Sequence, residues 1–594
     1  MLPWKSTQTV LRSGRWPSHY AYRHSSPSRL GQRYYRSSSC IQHAVSISDI
    51  GKAPQSADQD QGGIQLTTLP NGVRVATQNS PGYFCGFGIY LNTGSRYETP
   101  NTRGCSHILD RMAFKSTENL DAEKVNEAIE SMGGNIQRES SRENIMYQAS
   151  VFQRDLPRVA SMFAEVVRRP CLTQEELEEQ KQIVQWELAE IQAKYEQYLP
   201  EILHETAYGH NTLGNPLMSS EETLATMTPD KIRNFMKTWF TADRLVVAAI
   251  GAPHEQVCDL VQEHYGDMKA SPDFTKHTAV PMIRGLPTSS VSTSGTSATA
   301  PQAASTLEHN SLLGSFSNTA SKIFHRMGSS SATPLPEDPA ELTKLPAHYT
   351  GGTHFAPIPG SPQTHIHLGF AAPGMNSTAI YTLAVLQILL GGGNSFSAGG
   401  PGKGMYSRLY TQVLNRYMFV EGCMAFTYSY RDSSLFGISA TTDSSAALPM
   451  FEIMVQQLVA LLPRFNPRKP YGHFPHPQLA QSPNVQQQYR SATEGLTDVE
   501  VSRAKNQLKS SLMMNLESRP IQLEDLGRQI QGFNFALTPQ EMCANIDQVT
   551  KDDIYELVQH VLASTPTVVA AGEVRELKRR LAGILQAYGL TAPN

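Results

Sequence analysis

The strongest constraint in this sequence is that it repeats itself. Leu172-Thr173-Gln174-Glu175-Glu176-Leu177-Glu178-Glu179-Gln180-Lys181 can be laid over Leu496-Thr497-Asp498-Val499-Glu500-Val501-Ser502-Arg503-Ala504-Lys505, an offset of 324. Independently, Thr228, Asp230, Ile232 and Val246-Val247-Ala248-Ala249 recur as Thr550, Asp552, Ile554 and Val568-Val569-Ala570-Ala571, an offset of 322. Chance supplies either match alone, but two matches at nearly one offset point to duplication of a unit of about 220 residues. The two halves are expected to share one fold.

Composition agrees with a chain that buries more than one core, at 594 residues with 40% hydrophobic and 17% charged. No apolar run reaches the ~18 residues that a spanning helix needs, and Thr382 and Gln387 interrupt the longest, Ile380 to Leu390. The seven cysteines are scattered without a C-x-x-C pair. That is neither zinc-knuckle spacing nor a disulfide scaffold, and it fits a reducing compartment.

Charge is unevenly placed. Lys5, Arg12, Arg15, Arg23, Arg29, Arg33 and Arg36 precede the first acid, Asp49, so a total of −3 leaves −10 for the remaining chain. An acid-free, Arg- and Ser-rich start without a long apolar core is the pattern of a mitochondrial transit peptide rather than a secretory signal. A basic arm for nucleic acid is the weaker reading. Residues 1–45 are assigned to the transit peptide, with Arg33-Tyr34-Tyr35 suggesting cleavage after Tyr35.

Residues 279–350 are rich in Ser, Thr, Ala and Pro, and 463–491 in Pro, Gln and His. Such tracts bury too little apolar area to offset ordering, so they read as a linker and an insert. They leave domains at 62–278 and 351–594. Pro70-Asn71-Gly72 between Ile64–Leu69 and Val73–Thr77 predicts a hairpin, and Phe87–Leu91 another strand. Helical periods follow at Ala122–Met132, stopped by Gly133, and at Thr173–Gln192, where Thr173 and Glu176 have capping-box spacing. Strand Leu245–Ile250 closes the unit. The expected class is α+β: two homologous domains, each a mostly antiparallel sheet with helices on one face.

Within Gly104-Cys105-Ser106-His107-Ile108-Leu109-Asp110-Arg111-Met112, helical spacing puts His107, Asp110 and Arg111 on one face. This segment resembles the inverted H-x-x-E-H motif of the pitrilysin/insulinase metallopeptidases. In that family two histidines and a downstream Glu bind zinc, and the motif Glu activates water. Position by position, the resemblance makes His107 the retained first ligand, Asp110 the replaced base, Arg111 the replaced second ligand, and Glu187 the third ligand. Three ligands and an open water position are required for zinc catalysis, and a guanidinium is never deprotonated in proteins. An ion pair among Arg111, Asp110 and Glu187 is therefore expected, with no metal and no catalytic residue in this chain.

Gly391-Gly392-Gly393-Asn394-Ser395-Phe396-Ser397-Ala398-Gly399-Gly400-Pro401-Gly402-Lys403-Gly404 holds seven glycines in fourteen positions. It is not a phosphate loop, because Gly404 stands where magnesium needs Ser or Thr. It suits a mobile loop over a ligand, or a plain connector. The stretch resembles the glycine-rich loop of non-catalytic subunits in the processing-peptidase branch of the same family. That resemblance implies a matrix heterodimer with a zinc-containing catalytic beta subunit. It also implies that residues 391–404 bind basic presequence peptides of imported precursors. Neither nucleic acid nor a transmembrane segment is implied, and peripheral association with the inner membrane is compatible with it. Two alternatives stand: a core structural subunit of the cytochrome bc1 complex, and a self-sufficient zinc metalloendopeptidase.

Overall fold

The turn at Pro70-Asn71-Gly72 forms, with Gly72 at φ 99°, and joins β1 (Ile64–Thr68) to β2 (Arg74–Gln78) in antiparallel register, Thr68 opposite Arg74. This computed structural model describes residues 63–209, 211–272, 338–394, 404–462 and 495–593. The transit peptide 1–45, most of the 279–350 linker, Ser395–Lys403 of the glycine-rich loop and the insert 463–491 lie outside the described residues.

The first half continues with β3 (Phe84–Leu91), α1 (Cys105–Met112), α2 (Ala122–Met132), β4 (Asn135–Ser140), β5 (Ile145–Phe152) and α3 (Leu156–Arg168). Then come α4 (Gln174–Ala193), α5 (Tyr195–Tyr208), α6 (Glu221–Ala225), α7 (Pro229–Trp239), β6 (Leu245–Ile250) and α8 (His254–Tyr265). After α9 (Pro339–Lys344), the second half runs β7 (Gly352–Pro357), β8 (Gln363–Pro373), α10 (Ile380–Leu390), β9 (Gly392–Asn394), β10 (Val420–Ser429), β11 (Ser433–Asp443) and α11 (Ala447–Val459). It ends with α12 (Asp498–Leu516), α13 (Arg519–Phe533), α14 (Pro539–Gln548), α15 (Lys551–Leu562), β12 (Thr567–Gly572) and α16 (Arg575–Ala587).

Two six-stranded sheets result, ordered β1-β2-β6-β3-β5-β4 and β7-β12-β8-β11-β10-β9. The block β2-β6-β3-β5-β4 has the same order as β7-β12-β8-β11-β10, so the duplication is visible in the topology. Only β2/β6 and β7/β12 run parallel. The helix caps repeat as well: the Thr173 and Thr497 hydroxyls accept the N–H groups of Glu176 and Glu500, and Thr228 and Thr550 cap α7 and α15.

Each sheet carries its own half's helices on one face. Leu245, Val247 and Ala249 pack there with Val159, Phe163 and Val257, and Val568 and Ala570 pack with Leu386, Met454 and Val558. The opposite faces are closed by an exchange between halves. Ala76, Tyr90, Val246 and Ala248 receive Leu523, Leu526 and Ile530 of α13, while Phe426, Leu435, Val569 and Ala571 receive Leu199, Ile202 and Leu203 of α5. A sheet buried on both faces explains why β6 and β12 are apolar at nearly every position rather than alternating. The exchange also corrects one detail of the repeat. Val247 and Val569 match by sequence but face opposite sides, so the strands are equivalent with a one-residue shift, which period-two alternation turns into a change of face.

The described residues begin again inside the expected linker, at Asp338. The Asp338 carboxylate accepts the Ala340 N–H to start α9, Leu342 is buried beside Tyr97 and Trp239, and the Tyr349 hydroxyl donates to the Thr565 carbonyl at 2.7 Å. Leu342 and Tyr349 give this stretch the apolar area that the Ser/Thr tracts before it lack.

Candidate functional site

Helix α1 begins abruptly. Gly104 caps it at φ 84°, and a Cβ there would lie 2.6 Å from the Ser219 hydroxyl. The fully buried Glu98 carboxylate accepts the Gly104 and Ser106 N–H groups, both at 2.8 Å, and the Ser106 hydroxyl at 2.6 Å. Glu98 thus satisfies donors left open at a helix start. Burial nevertheless pushes its carboxyl up to about 7, against those three bonds. At the other end, the Arg138 guanidinium donates to the Ala113 carbonyl at 3.0 Å and fixes the last turn.

Between these anchors the expected ion pair forms. Arg111 Nη2 lies 3.0 Å from Glu187 Oε2, and Arg111 Nη1 lies 3.8 Å from Asp110 Oδ2. Burial raises the Asp110 carboxyl, with Arg138 and Arg111 opposing. His107 is engaged by Ser219. Its Nδ1 accepts the Ser219 N–H at 3.2 Å, and Ser219 Oγ donates to the Gly104 carbonyl at 3.0 Å. The ring is 8% exposed, and burial, with Arg111 adding to it, lowers its pKa to about 4. A neutral imidazole whose Nδ1 accepts an N–H carries its proton on Nε2 and has no lone pair left for a cation.

The residues present therefore do not fit the family's zinc. His107 is spent on Ser219, a fixed cation sits at Arg111, and Glu187 is held by that cation. Among the described residues no group of three or more His, Cys, Asp or Glu is placed to hold a metal.

The glycine-rich stretch is rooted elsewhere, on the second sheet. Gly391 and Gly392 have φ 57° and 95°. A Cβ on Gly392 would sit 2.1 Å from the Cys423 carbonyl, because β9 lies against β10 with Gly392 opposite Met424. Ser407 Oγ accepts the Gly392 N–H at 3.1 Å, and Arg408 pairs with Glu500 at 2.9 Å just beyond the loop. Gly391, Gly392, Gly393, Asn394 and Gly404 are thus placed, and Ser395–Lys403 lie outside the described residues. No hydrogen bond or ion pair among the described residues joins this root to the His107 region.

Sequence reasoning missed Glu98, Ser219 and the contact between the two halves. There Arg96, on the loop before α1, donates to Asp432 Oδ1 and Oδ2 at 2.7 and 2.6 Å, and to Glu143 at 2.5 Å. Glu143 also accepts the Arg431 N–H at 2.9 Å. The β4–β5 and β10–β11 turns, equivalent in the duplication, meet tip to tip. Nothing in the sequence signals a pair separated by 336 positions.

Comparison with known proteins agrees with this geometry. Residues 74–221 match the Insulinase (Peptidase family M16) signature, and 226–463 match the Peptidase M16 inactive domain. The Neurospora crassa mitochondrial-processing peptidase subunit alpha is 42% identical over 84% of this chain and 82% of its own length. The human subunit alpha is 31% identical over 86% and 82%. Complex III2 from Candida albicans contains a chain with the same fold, at TM-score 0.60 and 16% identity, covering 88% of this chain and all of that one. The chain belongs to the insulinase family, peptidase family M16, and the relatives just named are alpha subunits of mitochondrial-processing peptidases.

Proposed function

We propose that this chain is the non-catalytic, substrate-recognition subunit of a mitochondrial processing peptidase in the matrix. It holds basic N-terminal presequences for cleavage by a zinc-containing beta subunit. The observation that carries the reading is Arg111 Nη2 at 3.0 Å from Glu187, together with His107 Nδ1 accepting the Ser219 N–H: the family's chemistry is closed here while its scaffold is kept. The relatives named as alpha subunits support the same role. In this reading Gly391–Gly404 forms a substrate-contacting loop on a rigid root, residues 62–278 and 351–594 are the two domains, and 1–45 is removed on import. An acidic body of −10 attracts Arg-rich peptides and raises their encounter rate.

The likeness to a Complex III2 chain keeps a second reading in view, a structural core subunit of that respiratory complex. Reconstituting the chain with a beta subunit of the same family separates the two. Presequence cleavage that requires both chains supports the processing role, and assembly without any effect on cleavage supports the structural one.

A further inference from the structure

Between β2 and β3 four consecutive residues, Pro81, Gly82, Tyr83 and Phe84, are exposed, Tyr83 to 86%. Phe84 opposes Phe152 at the end of the β3–β5 ladder. Their rings stack with centroids 4.4 Å apart, although the two residues stay 45% and 38% exposed. The Arg154 guanidinium, on a side chain 81% exposed, lies 5.2 Å from the Phe152 ring centroid. Three aromatic side chains and a cation thus meet in the open at one end of the first sheet. Apolar surface gathered in one exposed place marks a site of contact.

The backbone of this tip is fixed from both halves. Arg519, the first residue of α13, donates to the Pro81 and Phe84 carbonyls, and a Cβ on Gly82 would lie 2.4 Å from Arg519 Nη2. The Gln153 N–H donates to the Tyr83 carbonyl at 3.0 Å. Tyr83 therefore stands on a held loop, and a contact made there loses little further backbone freedom. Charge gathers at the same end. Arg154, Arg158 and Arg519 flank the aromatic groups, and among the described residues the acid paired with them is the buried Asp155, 3.4 Å from Arg154 and 3.5 Å from Arg158. Three cations against one acid leave a local surplus of +2 on a body of −10.

We propose that the Pro81–Phe84 tip, with Phe152 and Arg154, docks this chain on the surface of an anionic phospholipid bilayer. Aromatic rings settle at headgroup depth, where Tyr keeps its hydroxyl in water and its ring among the acyl chains. Arginine pairs bidentately with phosphate oxygens, and the Arg154 guanidinium lies at the level of the Phe152 ring. A negative surface attracts the local +2 within a Debye length and repels the acidic remainder, so the contact turns this end of the first sheet toward the membrane. A projecting tip of four successive exposed residues suits a deformable surface better than a peptide, which needs a groove to lie in.

The test is flotation of the purified chain with vesicles of phosphatidylcholine, and with vesicles of equal parts phosphatidylcholine and phosphatidylglycerol. The chain is started at residue 46, which keeps every described residue and omits the basic leader that would bind anionic lipid by itself. It should float with the anionic vesicles, less so as salt is raised, and stay behind with phosphatidylcholine alone. Tyr83→Ser and Arg154→Gln, both at well-exposed positions, should each lower the partition coefficient roughly fivefold and leave thermal unfolding unchanged. No flotation of the parent chain with anionic vesicles would overturn the proposal, as would equal flotation of the two variants. Binding to inner-membrane vesicles that is lost on protease treatment, with none to pure lipid, would assign the tip to a protein acceptor and overturn the lipid assignment.

Discussion

Arg111 Nη2 and Glu187 Oε2 sit 3.0 Å apart, bringing a helix of the degenerate motif together with the helix that supplies the family's third metal ligand. A fixed guanidinium bridges two acids there, Glu187 and Asp110, and so occupies the electrostatic place of a divalent ion without its Lewis acidity. The two side chains are 31% and 35% exposed, so the pair adds little stability, ~0–1 kcal/mol. Arg111→Met should therefore leave thermal unfolding nearly unchanged, and a drop in Tm of more than a few degrees would show that the pair matters structurally.

Restoring one histidine should not restore the enzyme. In Arg111→His the base is still an aspartate, one methylene shorter than the family's Glu, and His107 still accepts the Ser219 N–H. Peptide turnover by the purified variant alone should stay at background, and measurable turnover would contradict the assignment of His107.

The His107 pKa gives a pH test. Lowered in the fold to about 4 from an ordinary 6.5, it lets the unfolded chain bind the extra proton first. Its contribution is present above pH 6.5 and is lost as pH falls from 6.5 through 4. His107→Gln should remove that part of the acid destabilisation, up to roughly 3 kcal/mol at pH 4, read as the difference between the two chains in urea unfolding from pH 7 to 4. Parallel curves would show that the His107 pKa is not shifted in the fold.

Much of this was legible in the sequence, and the pattern of what was not is physical. The hairpin at Pro70-Asn71-Gly72 and the cap at Thr173 depend on local chemistry, and helical spacing puts His107, Asp110 and Arg111 on one face, whereas Glu187 comes into the pairing only through the family resemblance. The face change between Val247 and Val569 depends on a one-residue difference that an identity match hides. The exchange of α5 and α13 pairs elements hundreds of residues apart, and no local pattern in either helix says which sheet it covers. His107's engagement with Ser219 was likewise invisible, since a serine has no motif.

The exchange predicts that the halves depend on each other. Leu203 and Leu523 are fully buried against the other half's sheet, so Leu203→Ala or Leu523→Ala should each cost ~2–5 kcal/mol. Hydrogen exchange should then accelerate in β8 and β12 for the first and in β3 and β6 for the second. Faster exchange confined to the mutated helix would contradict the packing.

At the tips, Asp432→Asn removes one of the two acids on Arg96, whose side chain is 6% exposed. With Glu143 still bound, the expected loss is ~2 kcal/mol, less than for a buried cation left wholly unpaired. Exchange should rise in the 141–144 and 430–433 turns together. An unchanged Tm would show that the contact between halves is carried by apolar packing alone.

The most direct test of the whole account is cleavage of one basic presequence peptide by three samples: this chain, a zinc-loaded beta subunit, and the two together, with zinc counted in each after dialysis. The account predicts no cleavage by this chain, little by the beta subunit, full activity for the pair, and one zinc per heterodimer. Cleavage by this chain alone, accompanied by one bound zinc, would contradict it.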